Sequence, residues 1–170
     1  MAKTFFKIAA ILGAGYVIAG LAQPKLKYFS AREFGLFYPL VEDDLLYKLD
    51  ELREQWGRAI NISPVEGAVG RADEHDSQHN IIKNLGVTRA VDVFPTGASG
   101  GSMTQDEAQN FVSLARGIGF TGIGVYTDTI YKNRPWIMVH LDVRIDRQMG
   151  DPALWSRVDG NYLALERAFL

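Results

Sequence analysis

Apolar and polar residues alternate from position 137 to 144, Ile-Met-Val-His-Leu-Asp-Val-Arg, and this period of two predicts a strand. Ile137, Val139, Leu141 and Val143 share one face; Met138, His140, Asp142 and Arg144 share the other. A face carrying His, Asp and Arg together is either washed by solvent or engaged in pairing and binding, because burying such groups unpartnered is costly. Leu45, Leu46, Leu49, Leu52 and Trp56 recur at three- and four-residue steps and predict a helix over 41–57, opened by Asp43 or Asp44 and closed by Gly57. Strands are predicted at 60–63, ended by Pro64, and at 89–95, where Val91 and Val93 face one way and Ala90 and Asp92 the other. Residues 65–80 read as a polar loop. Thr104 and Glu107 make a capping box for a helix with Phe111, Val112, Leu114, Ala115 and Ile118 on its apolar face. A strand is expected at 123–126, a hairpin loop at 128–134, and a C-terminal helix from Asp151-Pro152 carrying Leu154, Trp155 and Val158.

The N-terminus breaks from this amphipathic pattern. Lys3 and Lys7 precede an uncharged run over 8–22 with no polar face. With Phe5 and Phe6 it approaches the ~17–25 residues of a spanning helix. An uncleaved anchor, a cleaved signal peptide and a buried helix all fit, and the anchor over 1–23 is preferred. Pro24 stops that helix, and Phe29, Phe34, Phe37 and Tyr38 make 24–40 too aromatic for a free linker. The remaining 41–170 is expected to be one domain.

Composition narrows the chemistry. A net charge of −2 leaves no electrostatic footprint for nucleic acid. Without cysteine, a metal site must be built from imidazoles and carboxylates. The three histidines are His75, His79 and His140, and His75 reads as a solvated loop residue.

Four segments occur in an order that resembles a known family. They are Ser77-Gln78-His79, preceded by Arg71; Ala90-Val91-Asp92; Gly-Ile-Gly-Val-Tyr over 122–126; and His140-Leu141-Asp142. This set is similar to the zinc D-Ala-D-Ala carboxypeptidases and phage endolysin peptidases, whose fold the hedgehog signalling domain shares. The resemblance implies an α+β fold, a small antiparallel sheet with flanking helices, here preceded by the N-terminal hydrophobic helix. One departure stands out: residues 80–88 separate the Ser-x-His segment from the Asp strand, a longer link than the family uses.

The resemblance further implies zinc held by His79, Asp92 and His140, with a fourth position open for water. Such a site lowers the pKa of water and polarises a peptide carbonyl. It needs a general base, and Ile137 stands where the family commonly places an acid. Asp142 is the first candidate, Asp128 the second and Glu74 the third; alternatively Asp142 orients a ligand histidine. Arg71 suits a substrate carboxylate or a developing oxyanion. The expected activity is hydrolysis of peptidoglycan stem peptides or cross-links at the cell envelope or from a virion membrane, with the membrane engaged through the N-terminal helix. A non-catalytic peptidoglycan-binding module and a structural membrane protein of a virus are the competing expectations.

Overall fold

The computed structural model describes residues 9–12, 15–18, 23–72 and 76–170. Ala9–Leu12 (β1) and Gly15–Ile18 (β2) pair antiparallel, with Leu12 opposite Gly15. This corrects the expected N-terminal helix in its described part. Ile11, Tyr16, Val17 and Ile18 favour strands, and Gly13 and Gly15 weigh against a helix. The rest of that segment lies outside the described residues. Among those described, no helix is long and apolar enough to cross a membrane.

The aromatic arm belongs to the fold. Ala31–Phe34 (α1) leads into a 3₁₀ turn over Gly35–Leu40, and Phe29 and Phe34 are buried in the core. Asp50 holds the arm down by accepting from the backbone N–H groups of Lys27, Tyr28 and Phe29. Asp50 sits on Asp43–Trp56 (α2), the expected helix. Gly57 closes α2 in the left-handed region at φ 67°, its N–H returning to the Arg53 carbonyl. The start of α2 differs from expectation: Glu42 is the cap residue and makes no side-chain cap bond, so Asp43 and Asp44 act from the first turn, where negative charge favours the helix dipole.

Ile60–Ile62 (β3) and Ala90–Pro95 (β4) follow as expected, and Gln105–Ile118 (α3) starts at the Thr104–Glu107 capping box. Gly122–Tyr131 (β5) and Arg134–Asp142 (β6) form a hairpin longer than expected. Lys132 and Asn133, both at positive φ, make its two-residue turn, so residues 128–131 are strand and not loop. The C-terminal helix is also corrected. Ala153–Val158 (β7) and Asn161–Leu163 (β8) are strands, followed by a 3₁₀ turn over Leu165–Phe169. Pairing to the free edge of β5 satisfies backbone groups that a helix here would leave open, and this overrides local preference.

The sheet runs β3-β4-β6-β5-β7-β8, antiparallel except for the parallel pair β5–β7. Val91, Val93, Ile123, Val139 and Leu141 face α2 and α3 and form one core with Leu45, Leu49, Phe111 and Ala115. Trp56 meets Phe111 edge-on at 5.1 Å between the two helices. One face of the sheet is thereby closed by helices. The opposite face carries the polar residues of β4 and β6.

Candidate metal centre

Register places the central residues in one row across the sheet: Asp92 opposite His140, His140 opposite Gly124, Gly124 opposite Trp155. The neighbouring row holds Ala90, Asp142 and Gly122. Alternation along each strand directs both rows away from the helices, because their flanking residues fill the core.

His79 reaches this face from the loop after β3. The His79 N–H and the Arg71 guanidinium each donate to the Ser77 hydroxyl at 3.1 Å, and the Arg71 N–H donates to the His79 carbonyl. The long link at 80–88 is packed and leaves this geometry intact. Asn80 accepts from the N–H groups of Ile82 and Lys83, Asn84 donates to the Gln78 carbonyl, and Ile81 and Val87 are buried.

Three side-chain atoms converge. His140 Nδ1 lies 2.9 Å from Asp92 Oδ1 and 3.2 Å from His79 Nε2, and His79 Nε2 lies 3.4 Å from Asp92 Oδ1. Ligands at ~2.0–2.1 Å from a tetrahedral zinc stand about 3.3 Å apart, so the triangle fits such an ion. The outward nitrogens are also fixed. His79 Nδ1 faces the Val69 carbonyl at 3.4 Å, and His140 Nε2 faces Asp142 at 3.1 Å. Both rings donate outward, so the nitrogens that face the triangle, His79 Nε2 and His140 Nδ1, are the ones a metal would take, His140 giving up its inner proton to do so.

The electrostatics agree with this arrangement. Burial pulls His79 below the usual histidine value, with Asp92 opposing. Burial opposes a charge on His140 too, but hydrogen bonds to Asp142 and Asp92 prevail and push it up to about 9. Asp92 is held below the usual carboxylate range by both histidines, against the effect of burial. The metal-free cluster therefore keeps one proton on His140 Nδ1, shared between Asp92 and a neutral His79. A divalent cation can take the place of that proton. The described residues thus contain a buried His79-Asp92-His140 group able to bind a metal ion.

Asp142 lies on the other side of the His140 ring from the triangle and is fully buried. Besides His140 it accepts from Arg144, whose Nε approaches at 2.9 Å and whose backbone N–H approaches at 3.1 Å. Asp128, on β5, is held by the Arg157 guanidinium at 2.8 Å and by the Gly160 N–H at 2.7 Å. Arg71 lines the cavity above the cluster. Glu74 and His75 lie outside the described residues. The cavity has a volume of about 700 Å³ and is also lined by Asp76, Lys83, Asp146 and Tyr126.

Trp155 is the residue that sequence reasoning placed elsewhere. Its indole lies across Gly124 and reaches His140, with ring centroids 5.2 Å apart. A Cβ on Gly124 would stand 2.3 Å from that indole, and one on Gly122 would stand 2.2 Å from the Asp142 carboxylate. The paired glycines were the available signal, since glycine inside a strand marks a close approach by another group.

Comparison with models of protein families, with curated proteins and with solved structures found no match to this chain.

Proposed function

We propose that this protein is a zinc-dependent peptidase that hydrolyses peptidoglycan stem peptides or peptide cross-links. The observation that carries the reading is the triangle of His79 Nε2, Asp92 Oδ1 and His140 Nδ1 at the floor of an open polar cavity, with both outward ring nitrogens already held. The order of Ser77-x-His79, Ala90-x-Asp92 and His140-x-Asp142 supplies the family expectation. His79, Asp92 and His140 hold the zinc. When bound, it polarises the scissile carbonyl and makes water a nucleophile near neutral pH.

The chain's own residues divide the remaining work. Asp142, braced by Arg144, fixes the His140 tautomer and ring plane. Arg71, anchored on Ser77, receives a carboxylate of the peptide. Among the described residues, Asp76 and Asp146 are the cavity carboxylates outside the cluster, and one of them takes the proton of the attacking water. The apolar run at 8–22 keeps the enzyme at the envelope or a virion membrane.

A second reading is a module that binds wall peptides without turnover. It is favoured by one observation: Asp142 and Asp128 both have their carboxylates occupied by arginine. Metal analysis of the purified protein beside His140→Ala, followed by incubation with muropeptides, separates the readings. The peptidase reading expects zinc in the wild type, its loss in the variant, and cleaved stem peptides. Zinc without cleavage gives the binding module. Iron in place of zinc, or no metal in either protein, refutes the proposal.

A further inference from the structure

Tyr126 lines the cavity from β5, two residues beyond Gly124. Its strand partners are Met138 and Arg157, so its ring begins one row away from His140. Its hydroxyl does not stay in that row. Trp155 Nε1 donates to it at 3.3 Å, and Trp155 belongs to the row of Asp92 and His140. This bond draws the hydroxyl toward the metal row, where it feels the Asp92 charge. The ring is nearly buried, at 8% exposure, with Arg157 over one side at 4.9 Å.

The bond also uses the phenol oxygen as an acceptor, so the Tyr126 O–H needs a different partner and the cavity that Tyr126 lines is where one can come from. There its neighbour is Tyr162, which stands edge-on at 6.1 Å and is 66% exposed at the rim. Burial raises the Tyr126 pKa above the ordinary phenol value, so the group is a proton-bearing donor at neutral pH. A ring that served packing alone would need neither the hydroxyl nor an indole N–H aimed at it.

We propose that the Tyr126 hydroxyl is a catalytic hydrogen-bond donor to the oxyanion formed during peptide hydrolysis, positioned by Trp155; this rests on the peptidase reading above. Water oxygen bonds to the scissile carbonyl carbon, and the carbonyl π pair moves onto oxygen. That oxygen accepts from Tyr126 O–H. On collapse the pair returns, the C–N bond breaks, and the amine leaves with the proton that the attacking water gave to a cavity carboxylate. Tyr126 keeps its proton throughout, which separates its role from that of a base. Arg71, held on Ser77, then serves the substrate carboxylate alone.

The test compares zinc-loaded wild type with Tyr126→Phe and Trp155→Phe. Turnover of a muropeptide is measured, and binding of a phosphinate analogue of its scissile dipeptide is followed by calorimetry. Removing one oxyanion donor typically costs ~10²–10³ in kcat, so Tyr126→Phe should lose about that factor, with KM moving less than about threefold. Its affinity for the phosphinate should fall at least about tenfold while zinc affinity is unchanged. Trp155→Phe keeps an aromatic ring on His140 but removes the orienting N–H, and should show the same pattern at about a tenth of wild-type kcat. If Tyr126→Phe does not fold, Trp155→Phe decides. Wild-type kcat and phosphinate affinity in the folded variants overturn the assignment. A wild type that neither cleaves the peptide nor binds the phosphinate overturns the peptidase reading and the inference with it.

Discussion

Replacing Asp142 by Asn tests what the carboxylate behind His140 does. Its two oxygens serve four donors: His140 Nε2–H, the Arg144 backbone N–H, and the Nε and Nη2 groups of the Arg144 guanidinium. Asparagine keeps the shape but offers one oxygen and two N–H groups. Whichever way the amide turns, a donor meets a donor at Arg144 or at His140. The guanidinium is the stronger donor and is expected to win the oxygen. His140 then loses its outward acceptor, its proton moves to Nδ1, and the lone pair needed in the triangle is blocked. Loss of such an outer partner typically weakens metal binding ~10–100-fold. At 1.4 kcal/mol per decade that is about 1.4–2.8 kcal/mol. The metal-free protein should also lose roughly 1.5–3 kcal/mol of stability, the worth of a hydrogen bond to a charged group. Zinc affinity is read by competition with a chromophoric chelator, and stability by denaturant titration of the metal-free form. An orienting role for Asp142 is refuted if zinc affinity stays within about twofold of wild type while turnover falls ~10²–10⁴-fold, because that loss is the signature of a missing general base.

Gly122→Ala should destabilise the fold and release metal together, because its Cβ would stand 2.2 Å from the Asp142 carboxylate, which is itself pinned by Arg144. Melting curves with and without zinc check this, and an unshifted melt would count against the close approach. Glu107 accepts from the Thr104 and Ala98 N–H groups and from Arg58, and these hold its pKa down at about 2. A depressed carboxylate stabilises the fold above its unfolded pKa and loses that contribution as pH falls through the folded value. Metal-free wild type should therefore exceed Glu107→Gln by ~1–2 kcal/mol at pH 7, and the gap should close between pH 4.5 and pH 2. A gap of equal size at both ends would show that Glu107 acts through packing instead.

The parts legible in the sequence were those governed by local pattern. The 3.6 period of Leu45, Leu49, Leu52 and Trp56 fixed α2, and the alternation in β6 sent Val139 and Leu141 to the core and His140 and Asp142 to the other face. What resisted was decided by partners distant in the chain. Leu154, Trp155 and Val158 have a spacing compatible with a helix, yet β5 offered an unpaired edge and two glycines, and the segment became a strand. That one difference moves Trp155 from the expected helix to the side of His140. In the sequence Tyr126 is only the end of the Gly-Ile-Gly-Val-Tyr run, and its hydroxyl gains meaning once the indole is beside it.

The long link between His79 and Asp92 makes the same point from the other direction. A flexible insertion would add uncertainty to the metal triangle, because each conformer of the link would carry His79 to a different place. Here the insertion is folded on itself: Asn80 closes a turn, Asn84 ties back to Gln78, and Gly86, at φ 98°, directs the chain toward β4. Arg89 then donates its N–H to the Gln78 carbonyl, closing the loop one residue before His79. The added residues are satisfied internally, so their cost falls on loop closure, which grows slowly with length, and not on the geometry of the site. The triangle is held by Ser77, Val69 and Asp142, none of which lies in the insertion. That is why a departure from the spacing of the resembling family leaves the atoms of His79 and Asp92 3.4 Å apart.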